Sequence, residues 1–283
     1  MFLDYLSLLV KSARPKQWIK NLLVAAAPIA AGQFGSQINN IALGVIGFTS
    51  ASIFGYLIND WKDREADQSH PIKKFRPFAS GKLKLPSLIL LLSTSLIMLI
   101  FICLILPSEF TFTIFIYLLI TLTYTLFIKS LVVIEMVWLA SGFLVRAVGG
   151  SAIIQEPPTG WFIISIGFGA LFIVSAKRIA EIRKKNSNRT RTVISKYNEN
   201  FLNLVLMVSA SITLLTYSLW IFEVYPKSNI AQFTIFPFTS AIFIYAWHCN
   251  NGDTEFPEVL IYQDKVFLLC AFAIAIPLLF VIY

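Results

Sequence analysis

Apolar residues run along this chain in blocks of about 20, separated by short polar clusters and without the period-two alternation of a half-buried strand. Blocks of that length suit helices that cross roughly 30 Å of hydrocarbon. They predict nine spans, near 18–35, 38–58, 86–106, 110–128, 131–151, 159–177, 202–223, 230–248 and 264–283. Only two polar connections are long enough to do chemistry, 59–85 and 178–201. No Gly-rich phosphate loop, heptad or low-complexity tract interrupts the pattern. The expectation is therefore an all-α polytopic membrane protein, one transmembrane domain over 1–283 with two loops capping one side. Two halves that each end a membrane helix in a charged motif also suggest an old internal repeat. The first residues read as a retained interfacial helix, because Asp4 interrupts a weak apolar stretch and no small-residue cleavage site precedes Lys11 and Arg14.

Composition sharpens this reading. Hydrophobic residues make up 57% of the chain and charged residues 13%, against about 25% charged in an ordinary soluble domain, which excludes a soluble globular protein. The net charge of +8 raises nucleic acid as a partner, but the placement of the charges argues instead for anionic lipid or a polyanionic substrate. With nine spans, the N-terminus and the loops after even-numbered spans share one face. That face collects all of the 23 basic residues except Arg146 and Lys227, so it is expected to be cytoplasmic in a plasma (inner) membrane. Cys103, Cys249 and Cys270 lie far apart with no metal-site spacing and read as packing residues.

The second span ends in Asn59-Asp60-Trp61-Lys62-Asp63-Arg64-Glu65-Ala66-Asp67. On a helix, Asp60, Asp63 and Asp67 project towards one side together with the Asn59 amide. Three like charges there call for a cation, and hard oxygen ligands that leave coordination positions for substrate phosphates suit Mg²⁺. A solvated, charged helix end accounts for the same carboxylates in isolation; their place beside some twenty apolar residues favours a site. The following loop carries His70, Lys73, Lys74, Arg76 and Lys82, cations that suit the outer oxygens of a metal-bound phosphate chain, with Arg76 giving bidentate contacts. His70 reads equally as a hydrogen-bond donor or a plain loop residue. Lys16 and Lys20 share one helix face at the mouth of the first span, as substrate contacts or as interfacial anchors with Trp18. In the fifth span Glu135 and Arg146 point the same way about 16 Å apart, too far to pair. Tyr117 and Tyr124 are candidate liners of an acceptor tunnel, although packing explains them as well.

Asn59-Asp60-x-x-Asp63-x-x-x-Asp67, followed by Arg76-Pro77 and Ala79-Ser80-Gly81, resembles the first signature of the UbiA superfamily of intramembrane prenyltransferases. Arg14-Pro15-Lys16-Gln17-Trp18-x-Lys20-Asn21 and the segment 129–149 resemble it too. The resemblance implies nine helices around a central cavity. Family members that prenylate aromatic acceptors carry a second acidic motif at the end of the sixth span, where this chain reads Lys177-Arg178-Ile179-Ala180-Glu181.

That basic substitution, with His70-Pro71, Gly252-Asp253, Pro257-Glu258 and Asp264, resembles the phosphoribosyltransferase branch of the superfamily. The branch implies Mg²⁺-dependent transfer of 5-phosphoribose from phosphoribosyl pyrophosphate to a polyprenyl phosphate for a cell-envelope glycan. Asn59, Asp60, Asp63 and Asp67 are then expected to hold the metal. Asp60, Asp63 and Asp67 are also the expected catalytic residues. Lys16, Lys20, Asn21, His70, Lys73, Arg76, Lys177, Arg178 and Glu181 are expected to contact substrate. The 183–196 run is expected to lie near lipid headgroups and to be a candidate lid, and a homo-oligomer is compatible with all of this. Two alternatives stay open: prenyl transfer to an aromatic or other acceptor, and a non-catalytic lipid transporter.

Overall fold

The computed structural model describes residues 2–70, 72–183, 196–251, 254 and 264–283. Among these, every regular element is a helix. The α-helices are α1 (Phe2–Ser12), α2 (Ala26–Ala30), α3 (Ile38–Lys62), α4 (Arg64–Gln68), α5 (Leu85–Ile105), α6 (Ser108–Leu126), α7 (Ile134–Ile154), α8 (Gly160–Arg183), α9 (Glu199–Val224), α10 (Asn229–Phe233), α11 (Ile235–Asn251) and α12 (Lys265–Ile282). Among the described residues, eight helical stretches are long and apolar enough to cross a membrane, and they match eight of the nine expected spans. Their outward residues include Leu104 at 80%, Phe280 at 75% and Phe236 at 73% exposure. Surfaces that apolar belong against lipid, so the chain is a multi-pass membrane protein.

The expected first span, 18–35, is the exception. Its residues form a 3₁₀ helix, Pro15–Ala25, running into the single turn and a half of α2. The stretch also carries Pro28, which lacks a backbone N–H, and Asn21, which is fully buried with its amide donating to Thr49 Oγ1 at 3.0 Å. At the 3₁₀ rise of about 2 Å per residue, the combined run still reaches about 30 Å.

The chain divides into two compact units. The first comprises Met1–Pro28, Gln33–Ile128 and Val145–Pro157. Its core gathers Val24, Ile41, Phe48, Leu99, Ile102, Phe110, Ile114, Tyr117 and Ile153, with Phe48 edge-on to both Phe110 and Tyr117. A Cβ added at Gly150 would stand 1.9 Å from the Val24 carbonyl oxygen, so the end of α7 meets the N-terminal 3₁₀ run backbone to backbone. A second cluster, Leu57, Phe78, Leu83 and Leu88, fastens the loop after α4 onto α3 and α5.

The second unit comprises Ile29–Gly32, Lys129–Leu144 and Pro158–Tyr283. In it α8 packs along α9 and α11 along α12. Met136, Phe172, Ile179, Leu202, Leu206 and Tyr245 form one core, and Tyr217, Trp220, Ile221 and Ala231 another.

Candidate active site

In the first unit the acidic motif straddles a helix break. Helix α3 ends at Lys62, Asp63 takes φ −87° and ψ 0°, and α4 restarts at Arg64. On a straight helix, seven residues separate Asp60 from Asp67 by about 10.5 Å along the axis. Here both carboxylates converge on one nitrogen: Arg76 Nη1 donates to Asp60 Oδ1 at 3.0 Å and to Asp67 Oδ2 at 2.7 Å. Asp60 and Asp67 are both buried, whereas Asn59 and Asp63 are half-buried. Asp63 donates its backbone N–H to the Asn59 carbonyl. Lys62 Nζ donates to the carbonyls of Thr125 and Leu126 at the C-terminus of α6, which ties the end of α3 to that helix.

Arg76 is placed by its loop. Pro77 holds it extended at φ −62° and ψ 143°, Ser80 N–H returns to its carbonyl, and Leu83 N–H bonds to Pro77. Gly81 takes the positive φ of 71° that closes the turn. Phe78 packs edge-on to Trp61. His70 organises the start of this loop, with Nδ1 accepting the N–H groups of Ile72 and Lys73, both at 3.2 Å. Burial, and then the neighbouring Lys73, push its pKa below the usual value, so Nδ1 stays an acceptor. Of the two readings of His70, a loop-shaping residue describes these bonds.

Arg14 joins the cluster from the other end of the chain. Its Nη2 donates to Asp60 Oδ1, and its guanidinium stacks 5.0 Å over the Tyr56 ring. Arg14 sits in the left-handed region at φ 53° and ψ 60°, directly before the 3₁₀ run. No local pattern announces a contact across 46 residues; the sequence marks Arg14 only by its charge and by the family likeness of Arg14-Pro15.

The other expected contacts of the N-terminal run divide. Lys16 is exposed, and Lys20 donates to Gln17 Oε1 at 2.5 Å. Asn21 is not at the surface: its Oδ1 accepts from Arg146 Nε at 2.7 Å, while Arg146 also donates to Tyr117 Oη at 2.7 Å and to Ser52 Oγ at 3.3 Å. Asn21, Tyr117 and Arg146 therefore form one buried polar knot. This explains how a charge inside a span is tolerated: its donors are met within the protein.

In the second unit, Arg178 is held rather than presented. It forms a two-pronged pair with Glu135, Nε to Oε1 at 2.7 Å and Nη2 to Oε2 at 2.6 Å, and both side chains are buried. Glu181 takes Nη1 at 2.5 Å. Tyr197 Oη accepts from Val133 N–H at 2.9 Å and donates to Glu135 at 3.3 Å; burial pushes its pKa up to about 12. Lys177, one residue earlier, is half-buried. Asp264 caps α12 through Val266 and Phe267 N–H, and its bond from His248 holds its carboxyl below the usual range. Gly252, Asp253, Pro257, Glu258, Pro71 and residues 184–195 of the expected lid lie outside the described residues.

Among the described residues no three His, Cys, Asp or Glu side chains form a ready-made metal cage. Asp60 and Asp67 nevertheless offer two hard, buried oxygen donors facing one point, a donor set that suits a divalent cation completed by substrate oxygens.

Fold and site together define a polytopic α-helical membrane protein with an acid-and-arginine centre at the end of α3. Residues 22–263 match the UbiA prenyltransferase family. The chain is 33% identical over 278 residues to the decaprenyl-phosphate phosphoribosyltransferase of Corynebacterium glutamicum, covering 94% of this chain and 83% of that protein. It is 34% identical over 278 residues to the protein of the same name from Mycobacterium tuberculosis, covering 93% and 90%. The structure of a UbiA homolog from Archaeoglobus fulgidus bound to GPP and Mg²⁺ superposes with a TM-score of 0.72 at 17% identity, over 97% of this chain and 99% of that one. The chain belongs to the UbiA prenyltransferase family and is a membrane transferase with that fold.

Proposed function

We propose that this protein transfers 5-phosphoribose from phosphoribosyl pyrophosphate to a polyprenyl phosphate, making a lipid-linked phosphoribose for a cell-envelope glycan. The observation that carries the proposal is the convergence of Asp60 and Asp67 on Arg76, with Arg14 on the same carboxylate. Such a centre suits a metal-bound diphosphate, and the relatives named as decaprenyl-phosphate phosphoribosyltransferases match over most of the chain. The reading treats residues 1–283 as one functional domain, in keeping with a family match that runs from 22 to 263. The strong excess of Lys and Arg on the N-terminal face supports a site opening to the cytoplasm.

Asp60 and Asp67 would hold Mg²⁺, with Asp63 and Asn59 as further proposed ligands. When bound, the metal supplies positive charge for the departing diphosphate. Arg76 and Arg14 each present a planar fork that matches phosphate oxygens, and the prolines and the Phe78–Trp61 contact hold the Arg76 backbone still. Lys16, Lys20, Lys73 and Lys177 are proposed contacts to the remaining anionic groups. Asn21 acts through Arg146 as an anchor of the N-terminal run, and Arg178 acts through Glu135 and Glu181.

An acceptor phosphate has a second pKa near 6 and is largely ionised at pH 7, so its oxygen needs little base assistance to attack the anomeric carbon. A single displacement through an oxocarbenium-like state inverts that carbon and gives the β-linked product.

The test is product analysis by mass spectrometry on purified protein. Mg²⁺ and polyprenyl phosphate are supplied with either phosphoribosyl pyrophosphate or geranyl diphosphate plus an aromatic acid. A lipid heavier by one phosphoribosyl unit, lost on chelation of the metal, is expected. A prenylated aromatic product would move the protein to the other branch of its family.

A further inference from the structure

We infer that Arg14 and Arg76 act as stand-in cations on the metal-holding carboxylates and compete with a divalent metal for them, so that metal and diphosphate bind with positive coupling. The inference rests on the proposed reading of Asp60 and Asp67 as metal ligands and assigns Arg14 a role in the site.

The geometry has an inside and an outside. Asp60 and Asp67 are 4% and 5% exposed, whereas the side chains of Arg14 and Arg76 are each 26% exposed. A cation that binds these carboxylate oxygens therefore competes with guanidiniums already bonded to them. Asp60 Oδ1 accepts from both arginines, and Asp67 Oδ2 accepts from Arg76. Two carboxylates and two guanidiniums leave this quartet with no net charge. Metal alone would have to displace a guanidinium and then face it as a like charge across a partly desolvated site, where electrostatics is weakly screened.

A diphosphate changes the balance. It brings negative charge and several oxygens in the geometry an arginine fork prefers, so a guanidinium that leaves Asp60 has an acceptor to move to. The transfer asks only for side-chain rotation. The Arg76 backbone is held by Pro77 and the Phe78–Trp61 contact, and that of Arg14 by the turn before Pro15, whereas the stack on Tyr56 is one the Arg14 guanidinium gives up when it turns to a phosphate. Metal and diphosphate then bind with positive coupling, and linkage requires each to raise the affinity for the other by the same factor.

The test uses the full-length protein in detergent, with Mn²⁺ and inorganic pyrophosphate as probes. Mn²⁺ binding without diphosphate is followed by electron paramagnetic resonance, and retention of labelled pyrophosphate is measured with and without Mn²⁺. Wild type is expected to retain pyrophosphate at least tenfold better with Mn²⁺. Arg14→Gln and Arg76→Gln are each expected to bind Mn²⁺ alone about tenfold or more tightly than wild type. Arg14→Lys, which keeps a charge at Asp60, should lie within about threefold of wild type. Arg64→Gln is the control, since Arg64 pairs with exposed Glu65 and stacks on Trp61. Gln variants that bind Mn²⁺ no more tightly than wild type, or an Arg64→Gln control that tightens it equally, would overturn the stand-in role while leaving the metal-diphosphate site intact. Wild type that retains pyrophosphate equally with and without Mn²⁺ would overturn the metal-diphosphate reading itself, and the inference with it. Should one Gln variant fail to fold, the other arginine reports on the same carboxylate.

Discussion

The pair of Glu135 and Arg178 invites the most direct perturbation. Glu135 is fully buried and Arg178 nearly so, and they share two charged hydrogen bonds of 2.7 and 2.6 Å. Removing one partner of such a pair costs about 3–5 kcal/mol, because the other charge stays in a low-dielectric interior. In Glu135→Ala the arginine keeps its bond to Glu181, a residue with some access to solvent, which places the expected loss near the lower end, about 3 kcal/mol. Arg178→Met strands the fully buried Glu135 carboxylate without its guanidinium, while Tyr197 still donates to it, so its cost is expected to be larger. The double variant Glu135→Met/Arg178→Met removes both charges and fills the space with apolar volume, and such replacements are often close to neutral. The singles should therefore sum to well above the double, with a coupling that approaches the sum of the two single costs, about 6 kcal/mol. The assay is equilibrium unfolding in mixed micelles as the SDS fraction rises, followed by far-ultraviolet circular dichroism. Single variants that each cost under about 1 kcal/mol, or a double variant that costs their sum, would refute a structural role for the pair.

Three further outcomes follow from particular contacts. Gly150→Ala places a Cβ 1.9 Å from the Val24 carbonyl oxygen and 2.9 Å from Pro28 Cδ, so the thermal midpoint in detergent should fall by the equivalent of about 3 kcal/mol or more; Gly167→Ala, with nothing within 4 Å, should leave it unchanged or raised, and equal midpoints would contradict the packing. Asp264→Ala removes the cap on Val266 and Phe267 N–H at a cost of about 1 kcal/mol, visible as faster hydrogen exchange at the start of α12 and not elsewhere. The His70 pKa is depressed, chiefly by burial, so its neutral form contributes stability that is fully present above the unfolded value of about 6.5 and is lost as pH falls through the folded value. In a His248→Asn background the ring resonances of His70 should titrate with a midpoint below 6.5, and a midpoint above it would show that Nδ1 does not accept from Ile72 and Lys73.

Much of the architecture was legible because it depends on composition over windows of about 20 residues. A membrane span must satisfy its own backbone and present apolar side chains to lipid, and both demands are written into consecutive positions. Eight spans appeared where hydropathy put them, and the acidic motif was visible as three carboxylates on one helical register. Hydropathy counts apolar residues and is blind to backbone geometry, so the expected first span does not reveal that Pro15–Ala25 takes the 3₁₀ form.

What the sequence alone determined was therefore the class of protein, the positions of most spans, the clustering of basic residues in the polar segments between them and the candidate chemistry of Asn59 to Asp67. Tertiary structure decided which charges meet. Arg14 reaches Asp60 across 46 residues, Arg146 finds Asn21 and Tyr117, and Arg178 finds Glu135 across 43. Sequence periodicity reports only neighbours within a turn or two of one helix, whereas an ion pair forms wherever two distant backbones bring opposite charges within about 3 Å and out of water.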